Sequence, residues 1–330
     1  MSDTASPGKP LMKAWICRAY GDPSVLALED RPKPVPGDAD VLVRIHATTV
    51  SSGDSRVRAL RLPRGFGLLG PLVLGFRRPR RGILGTDLAG VVEAVGGQVT
   101  AYRPGDAVIA FAGSAMGCHA QYRVMPATGR IAPKPSNLAA EEAVSLLFGG
   151  TTALHFLRKS GLKPGESLLV IGASGAVGSA MVQLARHMGA TVTGVTSTPN
   201  LELVRSLGAD DVIDYRMQDV TRQNRTWDVI ADTVGASDFC RCQSILNEHG
   251  RYLSIAGGLF DLLKRRRGTR RSIAGPAEER AEDVLQLSRL AEAGVLKPVV
   301  GRIFSFADMR QAHAMVDSGR KVGSVVVRVS

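Results

Sequence analysis

The sequence predicts an α/β chain with two parts: an antiparallel, barrel-like β domain and a doubly wound parallel-sheet domain. Three observations carry that expectation. From residue 12 to about 130 the chain runs in short β-like stretches broken by glycine and proline. Strand and helix patterns alternate after residue 161. One strand-to-helix junction, "LLVIGASGAVGSAMVQLARHMGA" (168–190), is threaded with small residues and carries no charge before Arg186. A length of 330 residues also exceeds one core of ordinary size, so two domains are expected.

Residues 1–11 read as an extension ahead of the first strand. The strands of the first part are "KAWICRAY", "DVLVRIHATTV", "LAGVVEAVG", "DAVIAFAG" and "AQYRVMP". No helical pattern separates them, which favours antiparallel pairing. "SNLAAEEAVSLLFGGTTALHFLRKSG" (136–161) reads as helix, opened by Asn137 as cap with Glu141 and Glu142 in the first turn. "ESLLVIGA" follows as a buried strand. The helix after it puts Val177, Ala180, Met181, Leu184, Ala185 and Met188 on one stripe. "ATVTGVTS", "DVIDY", "WDVIADTVG" and "GRYLSIAGG" read as further strands, with "NLELVRSLGA" a helix, giving the βαβ rhythm of a parallel sheet. The tail returns to strand–helix–strand and is assigned to the first domain. The expected division is 1–145 with 296–330, and 146–295.

Composition narrows the function. No apolar run reaches the roughly 18–20 residues that span a bilayer. The nearest, "GFGLLGPLVLGF" (65–76), is broken by glycine and proline. The N-terminus has no basic start followed by an apolar stretch, so a cytoplasmic setting is expected. Cys17, Cys118, Cys240 and Cys242 form no C-x-x-C pair and read as small buried side chains. The net charge of +12 is partly concentrated in "KRRRGTRR" (264–271) and "RRPRRG" (77–82). Neither cluster interleaves aromatics for base stacking, so nucleic acid is not the expected partner. The charge suits an anionic cofactor or substrate instead.

Ala173-x-Gly175-x-x-Gly178 is a dinucleotide-binding fingerprint with alanine in the first glycine's place. Such a turn needs one residue without Cβ where a pyrophosphate meets the backbone, and another where helix and strand pack closely. Backbone N–H groups and the helix's positive end hold the phosphates, so no cationic side chain is required. NAD sites place Asp or Glu about 20 residues beyond the glycines, on the ribose hydroxyl. Here the chain reads Val195-Thr196-Ser197-Thr198-Pro199-Asn200, with no carboxylate. Hydroxyls and an amide can donate to a 2′-phosphate, so NADPH is expected, with NADH possible.

These stretches, with "MKAWICRAYGDPSVLALED", "ILGTDLAGVVEAVG", "YRPGDAVIAF", "FGGTTALHFL", "LGADDVIDY" and "GRKVGSVVV", resemble the medium-chain dehydrogenase/reductase superfamily. Within it the chain is similar to the zinc-independent quinone oxidoreductase (zeta-crystallin-like) branch, from about Met12 to Val329. The resemblance implies a GroES-like catalytic domain, a Rossmann cofactor domain and a homodimer joined through the cofactor domains. Zinc ligands of the superfamily's alcohol dehydrogenases match Ser51, Thr86 and approximately Phe148, none of which is a suitable ligand, so no metal is expected. The implied reaction is hydride transfer to an apolar electrophile, a quinone or an α,β-unsaturated carbonyl.

Site residues follow from the same resemblance. Ser51, where many relatives have asparagine, would stand near the nicotinamide with Asp54 and Tyr20 as further catalytic candidates. Thr151 would lie by the nicotinamide, and Ser174, Gly175, Ala176, Val177 and Gly178 on the pyrophosphate. Thr196, Ser197, Asn200 (lysine in many NADPH-using relatives) and Tyr215 would surround the 2′-phosphate. Ile255, Ala256 and Gly257 would border the cofactor at the end of a strand. Asp54 and Arg58, spaced i, i+4, suit an ion pair. The stretch 62–81 suits a lid over the cleft. Rival readings are a metal-free NAD(P)-dependent alcohol or aldehyde oxidoreductase, and a non-catalytic, RNA-binding or structural, NADPH-binding relative.

Overall fold

Thr48, Thr49 and Val50 end one long strand in the middle of the first sheet, and Ser51 follows directly. The structure is a computed structural model and describes residues 10–61, 74–257 and 266–330. β1 (Leu11–Cys17) pairs antiparallel with β2 (Leu26–Pro32). Then come β3 (Asp40–Val50), α1 (Ser52–Arg58), β4 (Asp87–Val95), β5 (Ala107–Phe111), β6 (Tyr122–Pro126) and β7 (Ile131–Pro133). β3 alternates branched apolar residues with others, and its inward side chains Val41, Val43 and Ile45 are fully buried with Leu88 and Val108. Two register shifts against β4 bend the strand, as bulges do where a sheet curls.

The expected helix over 136–161 is two helices, α2 (Ala140–Ser145) and α3 (Leu147–Ser160). Asn137 does not cap it. Its amide donates to Ala291 and Glu292 carbonyls, while Glu142 reaches back to the Ala139 N–H at 2.9 Å. Gly161 then ends α3 in the left-handed region at φ 66°, as C-terminal glycines do.

The second sheet is built from β8 (Ser167–Ile171), α4 (Ala176–His187), β9 (Thr191–Thr196), α5 (Leu201–Ser206), β10 (Asp211–Asp214), β11 (Trp227–Asp232), β12 (Leu246–Ser254), β13 (Arg266–Arg267) and β14 (Arg270–Ala274). Its order is β10-β9-β8-β11-β12-β14-β13, parallel except for the last pair. The order reverses direction on either side of β8, so a crevice opens at the carboxyl ends of β8 and β11, where such sheets bind ligands. The predicted α4 stripe is real: Ala180, Met181, Leu184 and Ala185 are buried against β8 and β9 residues.

The chain then forms α6 (Ala281–Glu292), which the sequence reading did not separate, followed by β15 (Val300–Ser305), α7 (Met309–Asp317) and β16 (Ser324–Arg328). β16 pairs antiparallel with β3 and parallel with β15, so the tail completes the first sheet in the order β15-β16-β3-β4-β5-β7, with β6 alongside β3. This is a GroES-like β domain with a Rossmann-type domain.

Some expectations change. Cys118 and His119 lie in a loop rather than a strand. In the basic segment 264–271, residues 264–265 lie outside the described residues, and the rest is strand and turn at the sheet's edge. Arg270 donates to the Leu246 and Asn247 carbonyls, and Arg271 to Ser160. Of the proposed lid, residues 62–73 lie outside the described residues.

Candidate active site

The strand-to-helix turn is shaped by its glycines. Gly172, at φ 83°, bends the chain after β8, and its N–H and that of Ala173 donate to the Val195 carbonyl at 3.1 and 3.0 Å. The left-handed glycine is therefore Gly172, one residue before the fingerprint's first position. A Cβ on Gly178 would sit 2.1 Å from the Gly172 carbonyl oxygen and 2.8 Å from Ala173 Cα, so only glycine lets α4 come this close. A Cβ on Gly175 would meet nothing nearer than 3.4 Å. Protein packing does not require glycine at 175, which leaves the space above the turn to a ligand.

Gly175 is the N-terminal flanking residue of α4, with no side chain capping it. The first-turn amides of Ala176, Val177 and Gly178 have no intrahelical partner by geometry, which makes this end an anion cradle. Beside it, Ser174 Oγ accepts from Thr196 Oγ1 at 2.8 Å and from Asn200 Nδ2 at 3.3 Å. Asn200 Nδ2 also reaches Ser197 Oγ at 3.1 Å. Four residues named from sequence thus form one cluster. Tyr215 donates its N–H to the Thr196 carbonyl, and the residue is 59% exposed. Asp214, at the neighbouring strand end, is turned to Thr198 Oγ1 at 2.5 Å and to the Arg216 N–H. These hydrogen bonds hold its carboxyl below the usual range.

Ile255 follows β12 and donates to the Asp232 carbonyl; Ala256 and Gly257 continue along the same crevice edge. Thr151 is buried in α3, and its hydroxyl is turned back to the Leu147 carbonyl at 2.8 Å. It therefore offers its methyl group or its backbone outward rather than a free hydroxyl.

On the other side, Ser51 caps α1. Its Oγ accepts from the Asp54 N–H at 3.1 Å and donates to Asp54 Oδ2 at 2.6 Å, while its own N–H donates to the same oxygen at 2.8 Å. Asp54 Oδ1 accepts from the Gly85 N–H at 2.8 Å. Asp54 is fully buried and all its acceptors are engaged, so it shapes the site by holding Ser51 and Gly85. Asp54 forms no ion pair with Arg58. Arg58, fully buried, pairs with Asp317 of α7 instead, because α7 packs against α1. Tyr20 donates its hydroxyl to the Gly75 carbonyl at 2.8 Å, not to Ser51 or Asp54. Burial raises its phenol.

The two sides meet. A Cβ on Gly53 would lie 3.3 Å from Ser51 Oγ and 3.6 Å from Phe148 Cε2, so Ser51 and the α3 phenyl face one another. Gly175 bridges to Gly323, whose N–H donates to the Ser174 carbonyl at 2.8 Å. The glycine turn is thereby tied to the segment entering β16.

Sequence reasoning missed Asp87, the first residue of β4. It is fully buried. Its Oδ1 accepts from the Thr49 N–H at 3.1 Å and from Thr49 Oγ1 at 2.7 Å, while Oδ2 has no hydrogen-bond partner. Burial pushes its carboxyl up to about 7, with the Thr49 hydrogen bonds opposing and nearby Asp54 adding to the rise. The signal was available: "GTDLAGVV" carries one carboxylate inside an apolar strand.

Comparison with known proteins bears on this geometry. The family description "Alcohol dehydrogenase GroES-like domain" matches residues 37–136, and "Zinc-binding dehydrogenase" matches 207–327. A 2-methylene-furan-3-one reductase of Solanum lycopersicum is 32% identical over 328 residues, 96% of this chain and 79% of the relative. The chain belongs to the medium-chain dehydrogenase/reductase superfamily, in its quinone oxidoreductase branch. An NADPH-dependent alkenal/one oxidoreductase of Arabidopsis thaliana is 30% identical over the same shares. The solved quinone oxidoreductase of Coxiella burnetii superposes with a TM-score of 0.84 at 27% identity, covering 97% of this chain and all of that one.

A zinc ion, which one of those descriptions implies, does not fit at the residues matching the superfamily's catalytic ligands. Ser51 offers an alcohol already committed to Asp54, Thr86 another alcohol, and Phe148 a hydrocarbon ring. Zinc takes thiolate, imidazole or carboxylate ligands.

Proposed function

We propose that the chain is a zinc-independent, NADPH-dependent oxidoreductase that transfers a hydride to a quinone or to the β-carbon of an α,β-unsaturated carbonyl. The observation that carries it is the Ser174–Thr196–Ser197–Asn200 cluster beside a glycine turn with open space at Gly175. Free amides of α4 suit a pyrophosphate, and the neutral hydroxyl and amide donors suit a 2′-phosphate where a carboxylate would repel one. The relatives named as alkenal/one and furanone reductases support the acceptor class.

When bound, the reduced nicotinamide supplies the hydride. The chain's own residues bind and orient it. Ser174 to Gly178 take the pyrophosphate, Thr196, Ser197, Asn200 and Tyr215 the 2′-phosphate, and Ile255, Ala256 and Gly257 the crevice edge. Ser51, Thr151 and Tyr20 line the nicotinamide side, with Asp54 holding Ser51. Proximity and orientation supply most of the rate for an acceptor that is already electrophilic.

The division 1–145 with 296–330 and 146–295 would place this cleft between domains. Family resemblance supports a homodimer joined through the cofactor domains, and cysteines spaced without a C-x-x-C pair support a reducing, cytoplasmic setting. Initial rates with NADPH or NADH on a quinone, an enone and a primary alcohol test the reading. Turnover of quinone or enone with preference for NADPH is expected; turnover of the alcohol alone overturns it.

A further inference from the structure

We propose that the cavity between β1 and residues 74–83 binds a small organic phosphate, at a site separate from the glycine turn. The inference does not rest on the functional reading above. The cavity measures about 300 Å³, at the small end of the range for small-molecule sites. Cys17 of β1, Arg31 of β2, and Arg78 and Arg80 form its polar wall, and Ile16, Pro79 and Ile83 its apolar one. None of these residues belongs to the cluster around Ser174.

The wall is fastened to the hairpin of β1 and β2. The Cys17 N–H donates to the Gly82 carbonyl at 2.7 Å, and Ile16 bridges to Ile83. Tyr20 holds the Gly75 carbonyl through its hydroxyl at 2.8 Å. The Arg80 N–H closes the loop on the Leu74 carbonyl at 2.7 Å, and a Cβ on Gly75 would lie only 2.3 Å from the Arg78 carbonyl oxygen, so the loop is tightly folded. Pro79 is buried while Arg78 and Arg80 on either side of it are exposed. Both arginines line the cavity.

The charge there is one-sided. Three guanidinium groups line the cavity, and no carboxylate among the described residues does. Residues 55–86 contain neither Asp nor Glu. Glu29 of β2 takes Arg31 at 2.6 Å but also Arg18 at 2.7 Å, so one carboxylate is divided between two cations. Arg78 has no ion-pair partner among the described residues. Burial pushes the Cys17 thiol up to about 11, so it adds no negative charge at neutral pH. Like charges around a concave surface focus a positive potential into it, and an anion bound between them relieves their repulsion.

The donor set selects the anion. Guanidinium forks match phosphate oxygens two at a time. A phosphate monoester carries roughly −1.5 to −2 charges at pH 7, enough to answer more than one arginine. Ile16, Pro79 and Ile83 leave one side apolar, which suits an organic body on the phosphoryl group and gives inorganic phosphate nothing to bury.

Calorimetric titration of the full chain with phenyl phosphate, inorganic phosphate and phenol tests the site, each with and without excess NADP+. Phenyl phosphate should bind more tightly than inorganic phosphate, phenol should give no heat of binding, and NADP+ should leave the phenyl phosphate affinity within about threefold. Arg78→Gln and Arg31→Gln should each weaken phenyl phosphate at least about tenfold. Arg77→Gln and Arg81→Gln remove the same charge from the same loop outside the cavity wall, and should leave the affinity within about threefold. Equal losses in all four variants would mean diffuse attraction to a basic loop and overturn the proposal. So would displacement by NADP+, phenyl phosphate binding no tighter than inorganic phosphate, or no binding by wild type. Where Arg78→Gln fails to fold, Arg31→Gln decides. Wild type that binds phenyl phosphate in this pattern but takes up no NADP+ removes the functional reading and leaves this site standing.

Discussion

Ser51 and Asp54 hold each other through three hydrogen bonds at the start of α1, and Asp54 uses its remaining oxygen to pin Gly85. Replacing Asp54 by Ala leaves the Ser51 cap but removes the acceptor of the Ser51 N–H and hydroxyl, worth about 1 kcal/mol, and leaves a buried Gly85 N–H unpaired, worth about 1–3 kcal/mol. Denaturant titration should show a loss of about 2–4 kcal/mol. The KM for the acceptor should rise, because Ser51 loses its anchor.

Asp317 neutralises the fully buried Arg58 from another helix. Removing one partner of a buried pair leaves an uncompensated charge and costs about 3–5 kcal/mol. Asp317→Ala should show that loss by denaturant titration, with no change in coenzyme specificity. A loss below 1 kcal/mol would mean that Arg58 is sufficiently served by His313 and the Gly21 carbonyl.

These two pairs show what sequence could and could not reveal. The Ser51–Asp54 spacing is local, so a helix-start pattern was visible. Arg58 has a carboxylate four residues before it and another 259 after it, and only the fold decides between them. The cofactor turn was legible because its chemistry is backbone chemistry, fixed by small residues at set spacing. Ser174, Thr196 and Asn200 could be gathered because adjacent parallel strands end at one level. Asp87 stayed hidden: its distinction is an oxygen without a partner, and that is a property of packing.

Gly175 and Gly178 should respond differently to the same added methyl. Gly178→Ala drives a Cβ into backbone atoms and should cost about 3 kcal/mol, near the upper end for overpacking. Gly175→Ala has room and an ordinary φ of −78°, so thermal unfolding should change little while NADPH affinity falls at least about tenfold, the methyl occupying the pyrophosphate's approach. Equal effects on stability would contradict the assignment of Gly175 to a ligand.

Asn200→Lys adds a cation to the cluster around Ser174. The Kd for NADPH should tighten about tenfold, equivalent to 1.4 kcal/mol, and become more sensitive to salt, with NADH binding unchanged. Calorimetric titration at two ionic strengths reads both. An equal gain for NADH would place the 2′-phosphate elsewhere.

The Asp87 carboxyl makes a signed prediction for stability. Its folded value is raised, so between pH 4 and 7 the native state binds more protons than the unfolded chain. Stability contributed by the neutral acid is present at low pH and is lost as pH rises through this window, up to roughly 4 kcal/mol. Asp87→Asn should flatten that part of the profile. A wild-type profile that rises between pH 5 and 7 and is unchanged in the variant would contradict burial of this group.

The link between Gly323 and Ser174 has a mechanical meaning. One amide–carbonyl pair joins the glycine turn after β8 to the segment leading into the final strand of the opposite sheet. Sliding one sheet over the other breaks that pair at once, whereas pivoting about it does not. The proposed diphosphate seat is therefore anchored to both sheets at once.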